Sequence, residues 1–189
     1  MDTAKIAAPI MGDKLYQVRA RAVLPILVRQ AEAGTPIVYS ELAKEVGIPN
    51  ARNLNFVLGS IGTTLENLSK AWKQKIPPIQ CLVVNKNTGL PGEGVGWFLV
   101  KKEDFSALSR RQQRTIVEAE LQHVYAYKRW HEVLSILSLS PVEIDYSAQI
   151  EKAAAFRGGG ESEAHKRLKQ YIAGNPIVVG LPASTPVGV

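Results

Sequence analysis

The side chains able to do covalent or metal chemistry are few and scattered. There is one cysteine, Cys81, and there are three histidines, His123, His131 and His165. A lone cysteine cannot close an intramolecular disulfide, which suits a reducing compartment. Free cysteines most often pack as small apolar residues. His123 and His131 stand eight residues apart in a helical pattern and share one face. No cysteine or carboxylate lies at metal-ligand spacing from them, so they read as surface or interface residues rather than a zinc site. Gly158-Gly159-Gly160 lacks the G-K-[ST] that turns a glycine-rich run into a phosphate loop, and reads as a hinge.

A second set of residues fits contact with a polyanion. Asn50, Arg52, Asn53 and Asn55 cluster at the start of the second of two successive helical patterns. Asparagine pairs with adenine edges and arginine with guanine edges in the major groove. Lys86 lies in a turn, and Arg110, Arg111 and Arg114 open a later helical stretch, where they suit a phosphate backbone. Arginines in a first turn oppose the helix dipole, which favours a use for them outside the helix. Tyr125, Tyr127, Trp130, Lys128 and Arg129 form an aromatic and basic cluster. Its rings either stack on an extruded base, forming a pocket of Tyr125, Tyr127 and Trp130, or pack the helix onto the domain.

The elements that must position these residues are read from periodicity. Residues 14–33 have helical spacing interrupted by Pro25, which implies a kink or two shorter helices, and Gly34 ends them. Ser40 is a candidate cap for a helix from Glu41 to Val46. Gly47 and Pro49 close it, and Asn50 caps a second helix, ARNLNFVLGSIG, followed by a short helix over 63–73. The unit Tyr39–Gly59 is a helix-turn-helix in pattern, with Tyr39 and Ser40 on the helix that crosses the DNA backbone. IPPIQCLVVN reads as a strand, Asn87-Thr88-Gly89 as a turn and residues 96–100 as the returning strand of a β-wing. From about Lys102 to Leu137 apolar residues recur at helical steps. ESEAHKRLKQYIAGNP is a further helix that stops at Gly174 and Pro176.

The fold expected is mainly α with a small β-wing: a winged helix-turn-helix over 1–101, a helical extension over 102–157, and a hinge, helix and uncharged tail over 158–189. Hydrophobic residues make up 46%, enough to bury a core, and the net charge of +6 favours a polyanionic partner. With no signal-peptide pattern and no apolar run long enough to span a bilayer, the expectation is a cytoplasmic protein without membrane contact.

The stretch VYSELAKEVGIPNARNLNFVLG, followed by IPPIQCLVVN, resembles the winged-helix DNA-binding domain of O6-alkylguanine-DNA alkyltransferases and alkyltransferase-like proteins. Tyr39, Glu41, Leu42, Ala43, Ala51, Arg52 and Cys81 carry the resemblance over residues 37–85. It implies that Arg52 pushes into the base stack and helps extrude a nucleotide. The family's P-C-H-R segment is replaced here by Gln80, Cys81, Leu82 and Val83, so the partners that make a cysteine nucleophilic are missing and no catalytic residue is expected.

LVVNKNTGLPGEGVGWF and GGGESEAHKRLKQYIAGNPIVVGL are also similar to segments of N-terminal regions of prokaryotic restriction and defence nucleases. There the second segment opens a nuclease domain of the PD-(D/E)XK type, which implies metal-binding roles for Glu161 and Glu163. After Asn175 the sequence holds no Asp, Glu, Lys or His, so that catalytic core is absent. The resemblance then implies a fragment or a shortened relative, with Mg²⁺ needed only if a nuclease domain is completed elsewhere. The expected role is a double-stranded DNA-binding module, able to form a homodimer, that recognises a sequence or a modified base. A nuclease completed by residues outside the chain, or a winged helix that binds protein, are the alternatives.

Overall fold

The computed structural model describes residues 7–92, 94, 96–99, 105–142 and 163–175. The chain divides into two compact units, Met1–Val142 and Glu143–Val189. The first is mainly helical, with one two-stranded parallel sheet among its described residues. In the second, helix α7 (Glu163–Gly174) is described, and it ends at Gly174 as expected. The expected short helix over 146–156, the hinge at 158–160 and the tail after Asn175 lie outside the described residues.

Helix α1 (Leu15–Ala33) is the centre of the first unit. Every residue from Val23 to Val28 is buried, so this part of the helix is apolar all round and needs neighbours on every side. Pro25 sits inside it without ending it. The missing N–H costs one intrahelical hydrogen bond, but the ring is buried among Val23, Leu24 and Leu27, whose packing holds the helix through that point. The N-terminus is closed by Gln17, whose Oε1 accepts from the Lys14 N–H at 3.2 Å while its Nε2 donates to the Pro9 carbonyl at 2.6 Å. Gly34, at φ 66°, ends the helix in the left-handed region.

Strand β1 (Ile37–Val38) leads directly into helix α2 (Tyr39–Glu45). It pairs in parallel with strand β2 (Val83–Val84), Ile37 opposite Val83 and Val38 opposite Val84. All of these residues are β-branched, as buried parallel strands require. Ser40 is the expected cap of this helix, yet the cap position belongs to Val38 and Ser40 lies exposed in the first turn, because pairing through Val38 fixes where the extended backbone ends. Gly47 at φ 65° then turns the chain.

Helix α3 (Leu54–Trp72) runs unbroken through the point where the sequence pattern predicts two helices. Gly59 and Gly62 are packing positions rather than stops: both are buried, and a Cβ on Gly62 would lie 2.7 Å from the Gln80 amide nitrogen. Leu54, Val57, Leu58, Ile61 and Leu65 face the core.

The expected wing takes a different form. Ile79–Leu82 is a 3₁₀ turn, started by Pro78 and closed by the Cys81 N–H on the Pro78 carbonyl at 3.0 Å. Only Val83–Val84 is strand, and its partner is β1. The expected returning strand is helical over Gly96–Leu99 (α4), and Val100 lies outside the described residues. After β2 the chain forms a closed loop, Asn85–Leu90. The Asn85 N–H donates to Leu90 O at 2.9 Å, the Gly89 N–H to Asn85 O at 2.8 Å and the Asn87 N–H to Asn85 Oδ1 at 2.8 Å.

The single long helix expected to Leu137 is two helices, α5 (Arg110–Ala126) and α6 (Trp130–Ile136). Ser109 and Gln112 cap α5 reciprocally. The break at Tyr127–Arg129 is held by Trp130, whose indole N–H donates to the Val124 carbonyl at 3.0 Å, and by the Tyr127 ring against Trp130 at 4.8 Å. Arg129 clasps the end of α3. It lies 4.2 Å over the Trp72 ring, hydrogen-bonds Gln74, and pairs with both carboxylate oxygens of Glu132. Periodicity continues across the break, which is why spacing alone reads one helix. Val124, Trp130, Val133 and Leu134 belong to the same core as α1 and α3, so these helices complete the first unit rather than extend from it.

Trp130 is thus the largest fully buried side chain among the described residues and closes the α5–α6 corner. Trp130→Phe is expected to cost about 1–3 kcal/mol, since it removes the indole hydrogen bond to the Val124 carbonyl, which then keeps the Tyr127 N–H at 3.4 Å, and shrinks a packed site. Denaturant melts of the two proteins measure it; equal midpoints would refute that role for the indole.

Candidate nucleic-acid interface

The segment between α2 and α3 carries the residues singled out for base contact. Asn50 does cap here: its Oδ1 accepts from the Arg52 N–H at 3.0 Å and starts the 3₁₀ turn Ala51–Asn53. That turn leads directly into α3. Arg52, Asn53 and Asn55 are exposed, while Leu54, Val57 and Leu58 beside them are buried. One edge of the helix start is therefore committed to the core, and its opposite edge offers one guanidinium and two carboxamides. Arg52 makes no side-chain hydrogen bond or ion pair with a described residue, unlike Arg29, which is held by Glu45 at 2.8 Å.

Phe56 belongs to the same surface, and sequence reasoning passes it over. It is 40% exposed and its ring lies 5.8 Å from that of Tyr16 on α1. The available signal is an aromatic residue out of phase with the Leu54, Val57, Leu58, Ile61 stripe.

Tyr39 has a different place from the one expected. Its hydroxyl accepts from the Gly92 N–H at 3.1 Å, and burial pushes its pKa up against that hydrogen bond. A Cβ on Gly92 would lie 2.9 Å from this hydroxyl, so glycine is what lets the backbone approach. Tyr39 thus pins the chain after the Asn85–Leu90 loop to the start of α2 and positions contacts rather than making one. Ser40, next to it, remains exposed.

Parallel pairing of β1 and β2 brings the start of α2 and the start of the loop to the same end of the sheet, because Val38 lies opposite Val84. Lys86 is exposed in that loop. Arg114 reaches it from α5, its guanidinium donating to the Thr88 carbonyl at 3.4 Å, and Leu90 packs with Phe105 and Val117 beneath. Arg110 and Arg111 are exposed in the first turn of the same helix. Of the three arginines, Arg114 is the one brought to the loop that carries Lys86, and it is partly engaged in holding that loop.

Of the two readings of the aromatic cluster, packing onto the domain is the one that holds for Trp130. Trp130 is 2% exposed, with its N–H spent on Val124, so neither ring face is open to a base. Tyr127 packs edge-on against it, and Tyr125 packs against the same core. Competition for burial decides this: the aromatics are the residues best able to seal the α5–α6 corner. His123 and His131 fall on different helices, beside Glu120 at 3.3 Å and Glu32 at 2.6 Å. No group of three or more His, Cys, Asp or Glu among the described residues is placed to hold a metal ion. Glu161 lies outside the described residues; Glu163 is the first residue of α7.

Cys81 is fully buried, and its pKa is pushed up to about 12 by desolvation, with Glu120 adding to the effect. Such a thiol stays protonated and hidden from alkyl groups. The folded pKa lies above the ordinary value of 9.0, so the protonated form stabilises the fold fully below about pH 9, and that contribution is lost as pH rises from there toward 12. Titration with a thiol-reactive dye at pH 8 is expected to be silent in the native protein and to count one thiol in guanidinium, and Cys81→Ala should lose less stability than wild type between pH 9 and 11. Rapid native labelling would refute the buried assignment. Comparison of the chain with family models, curated proteins and solved structures yields no match, so the role of this surface rests on its own residues.

Proposed function

We propose that the chain is a double-stranded DNA-binding module in which the start of α3 enters the major groove. The observation that carries this reading is the exposed set Asn50, Arg52, Asn53 and Asn55 at the head of a helix whose other side is locked into the core. Helix α2, the Gly47 turn and α3 supply the helix-turn-helix arrangement, with α2 crossing the backbone. The Asn85–Leu90 loop takes the place of a wing. Lys86, Arg110 and Arg111 bind phosphates, and Arg114 holds the loop while adding its charge. Phe56, an exposed apolar residue one turn into the helix, is suited to a thymine methyl or a wedge between bases. The chemistry supports recognition of a sequence or a modified base, as in the recognition part of a prokaryotic restriction or defence nuclease. Cleavage would need residues beyond those described.

A protein partner is favoured by a separate observation: Met11, Leu15 and Val18 expose 61%, 64% and 46% of their surface, and Leu15 and Val18 share a face of α1. A second copy of the chain on that face would present two recognition helices, as dimeric helix-turn-helix proteins do. Among the described residues no helix is long and apolar enough to cross a membrane.

Fluorescence anisotropy with unmodified and cytosine-modified duplexes across a salt series tests the reading. Affinity is expected to fall steeply with salt. Arg52→Ala should weaken specific binding by about 1–3 kcal/mol, and Lys86→Ala should weaken all duplexes alike and flatten the salt slope by about one unit. Absence of any salt-dependent binding would overturn the proposal and leave the protein-interaction reading.

A further inference from the structure

The second half of α3 borders a cavity of about 510 Å³ that has no part in the proposed DNA-binding surface. Gln80 lies in its lining. The Gln80 side chain is 1% exposed, and neither its amide nitrogen nor its amide oxygen has a hydrogen-bond partner. Among the described residues the other buried polar side chains Gln17, Ser60 and Thr64 are satisfied, Gln17 donating to Pro9 O, Ser60 to Ala8 O and Thr64 to Ser60 O, while the half-buried Tyr127 also leaves its hydroxyl without a partner. A buried carboxamide with both ends unpaired is costly, and proteins rarely keep one without a use. Gly62 lets the Gln80 amide and the Phe98 ring press against α3, since a Cβ there would lie 2.7 Å from the Gln80 nitrogen.

The rest of the cavity sorts by chemistry. Leu65, Ile76, Pro78, Phe98 and Leu99 give apolar walls. Lys70, Lys73 and Lys75 also line it, against Glu66 as the single carboxylate among the described residues. Lys75 is occupied by Glu120 at 2.9 Å, whereas Lys70 and Lys73 have no side-chain partner among the described residues. Lys73 sits at φ 51°, in the left-handed region where glycine or asparagine would be the cheaper residue.

We propose that this cavity binds a nucleoside phosphate. The Gln80 carboxamide presents a donor and an acceptor side by side, the pattern that matches the adjacent N–H and ring nitrogen of adenine. The flat base packs between the apolar walls, and the free ammonium groups of Lys70 and Lys73 hold the phosphates. The volume lies within the range of about 300–1,000 Å³ found for small-molecule sites. This inference does not rest on the DNA reading.

Calorimetric titration of the full chain with ATP, adenosine and tripolyphosphate tests it. ATP is expected to bind, adenosine more weakly, and tripolyphosphate least. Gln80→Leu conserves volume and removes the unpaired amide, so the fold should hold, with a thermal melt as the check; ATP affinity should fall at least about tenfold. If that variant fails to fold, the exposed double variant Lys70→Ala/Lys73→Ala carries the test and should cost ATP affinity but leave adenosine unchanged. Arg52→Ala should bind ATP as wild type does. No ATP binding at millimolar concentration, tripolyphosphate binding as tightly as ATP, or unchanged ATP affinity in Gln80→Leu would overturn the proposal.

Discussion

The parallel contact of Ile37–Val38 with Val83–Val84 joins segments that are 46 residues apart, and the placement of the proposed interface depends on it. Two residues on each side contribute few hydrogen bonds, so the pairing is held by what buries it: the strand residues pack in the core around α1, and the Tyr39 hydroxyl fastens Gly92 just beyond. Because the strands run the same way, both chains leave the sheet at one end. A helix start and a lysine-bearing loop therefore become neighbours without any contact between their functional side chains. An antiparallel hairpin would have sent the loop back along β2 and left β1 without a partner. The closed hydrogen bonding of Asn85–Leu90 and the Leu90, Phe105, Val117 cluster then fix how α5 brings Arg114 to that loop.

Much of the recognition unit is legible in the sequence because its signals are local. Gly34, Gly47 and Gly89 all occupy left-handed backbone, and the Asn50 cap forms where its position predicts, since each depends only on adjacent chain geometry. The errors come from non-local choices. Val83–Val84 reads as strand correctly, but no propensity says whether its partner lies upstream or downstream. Ile37–Val38 takes the place expected of residues 96–100. Gly59 and Gly62 look like breakers until Gln80 and Phe98 are seen against Gly62. Trp130 has the composition of a stacking platform and the position of a core plug, and burial of its large apolar surface decides for the core. Phe56 escapes notice for the converse reason, since an exposed aromatic is informative only once its neighbours are known to be buried.

The charges divide into those spent on the fold and those left for a ligand, and the division is not visible in the count of basic residues. Arg29, Lys75 and Arg129 face carboxylates, and Arg21 donates to the carbonyls of Ile10 and Gly12 at 2.7 Å. Exposed pairs of this kind add little stability individually; their effect is to remove cations from the pool available to a polyanion. Arg52, Lys86, Arg110 and Arg111 remain exposed in that pool, and Lys70 and Lys73 line the cavity. A net charge of +6 therefore measures neither site, because it sums 23 basic and 17 acidic residues over the whole chain.

Both surfaces are built on α3, which has 19 residues and so extends about 28 Å. Its first turn presents the base-reading set and its last turns border the cavity. Between them Leu58, Ile61 and Leu65 are packed into the core, with Gly59 and Gly62 allowing neighbouring chain to press close. A buried helix held this way transmits displacement poorly unless it moves as a rigid body, and it can move so only by sliding against α1, with which it shares its longest packed face. The Arg129 clasp on Trp72 and Gln74 opposes that sliding at the cavity end, and the Tyr16–Phe56 contact opposes it at the other. Occupancy of one end would alter the other only if it changed one of these two fastenings. Phe56 belongs to the surface proposed to meet DNA, and Gln74 lines the cavity beside Lys73, so each fastening lies within reach of its own ligand. The helix is therefore a scaffold for the two proposed sites, with one of these fastenings near each end.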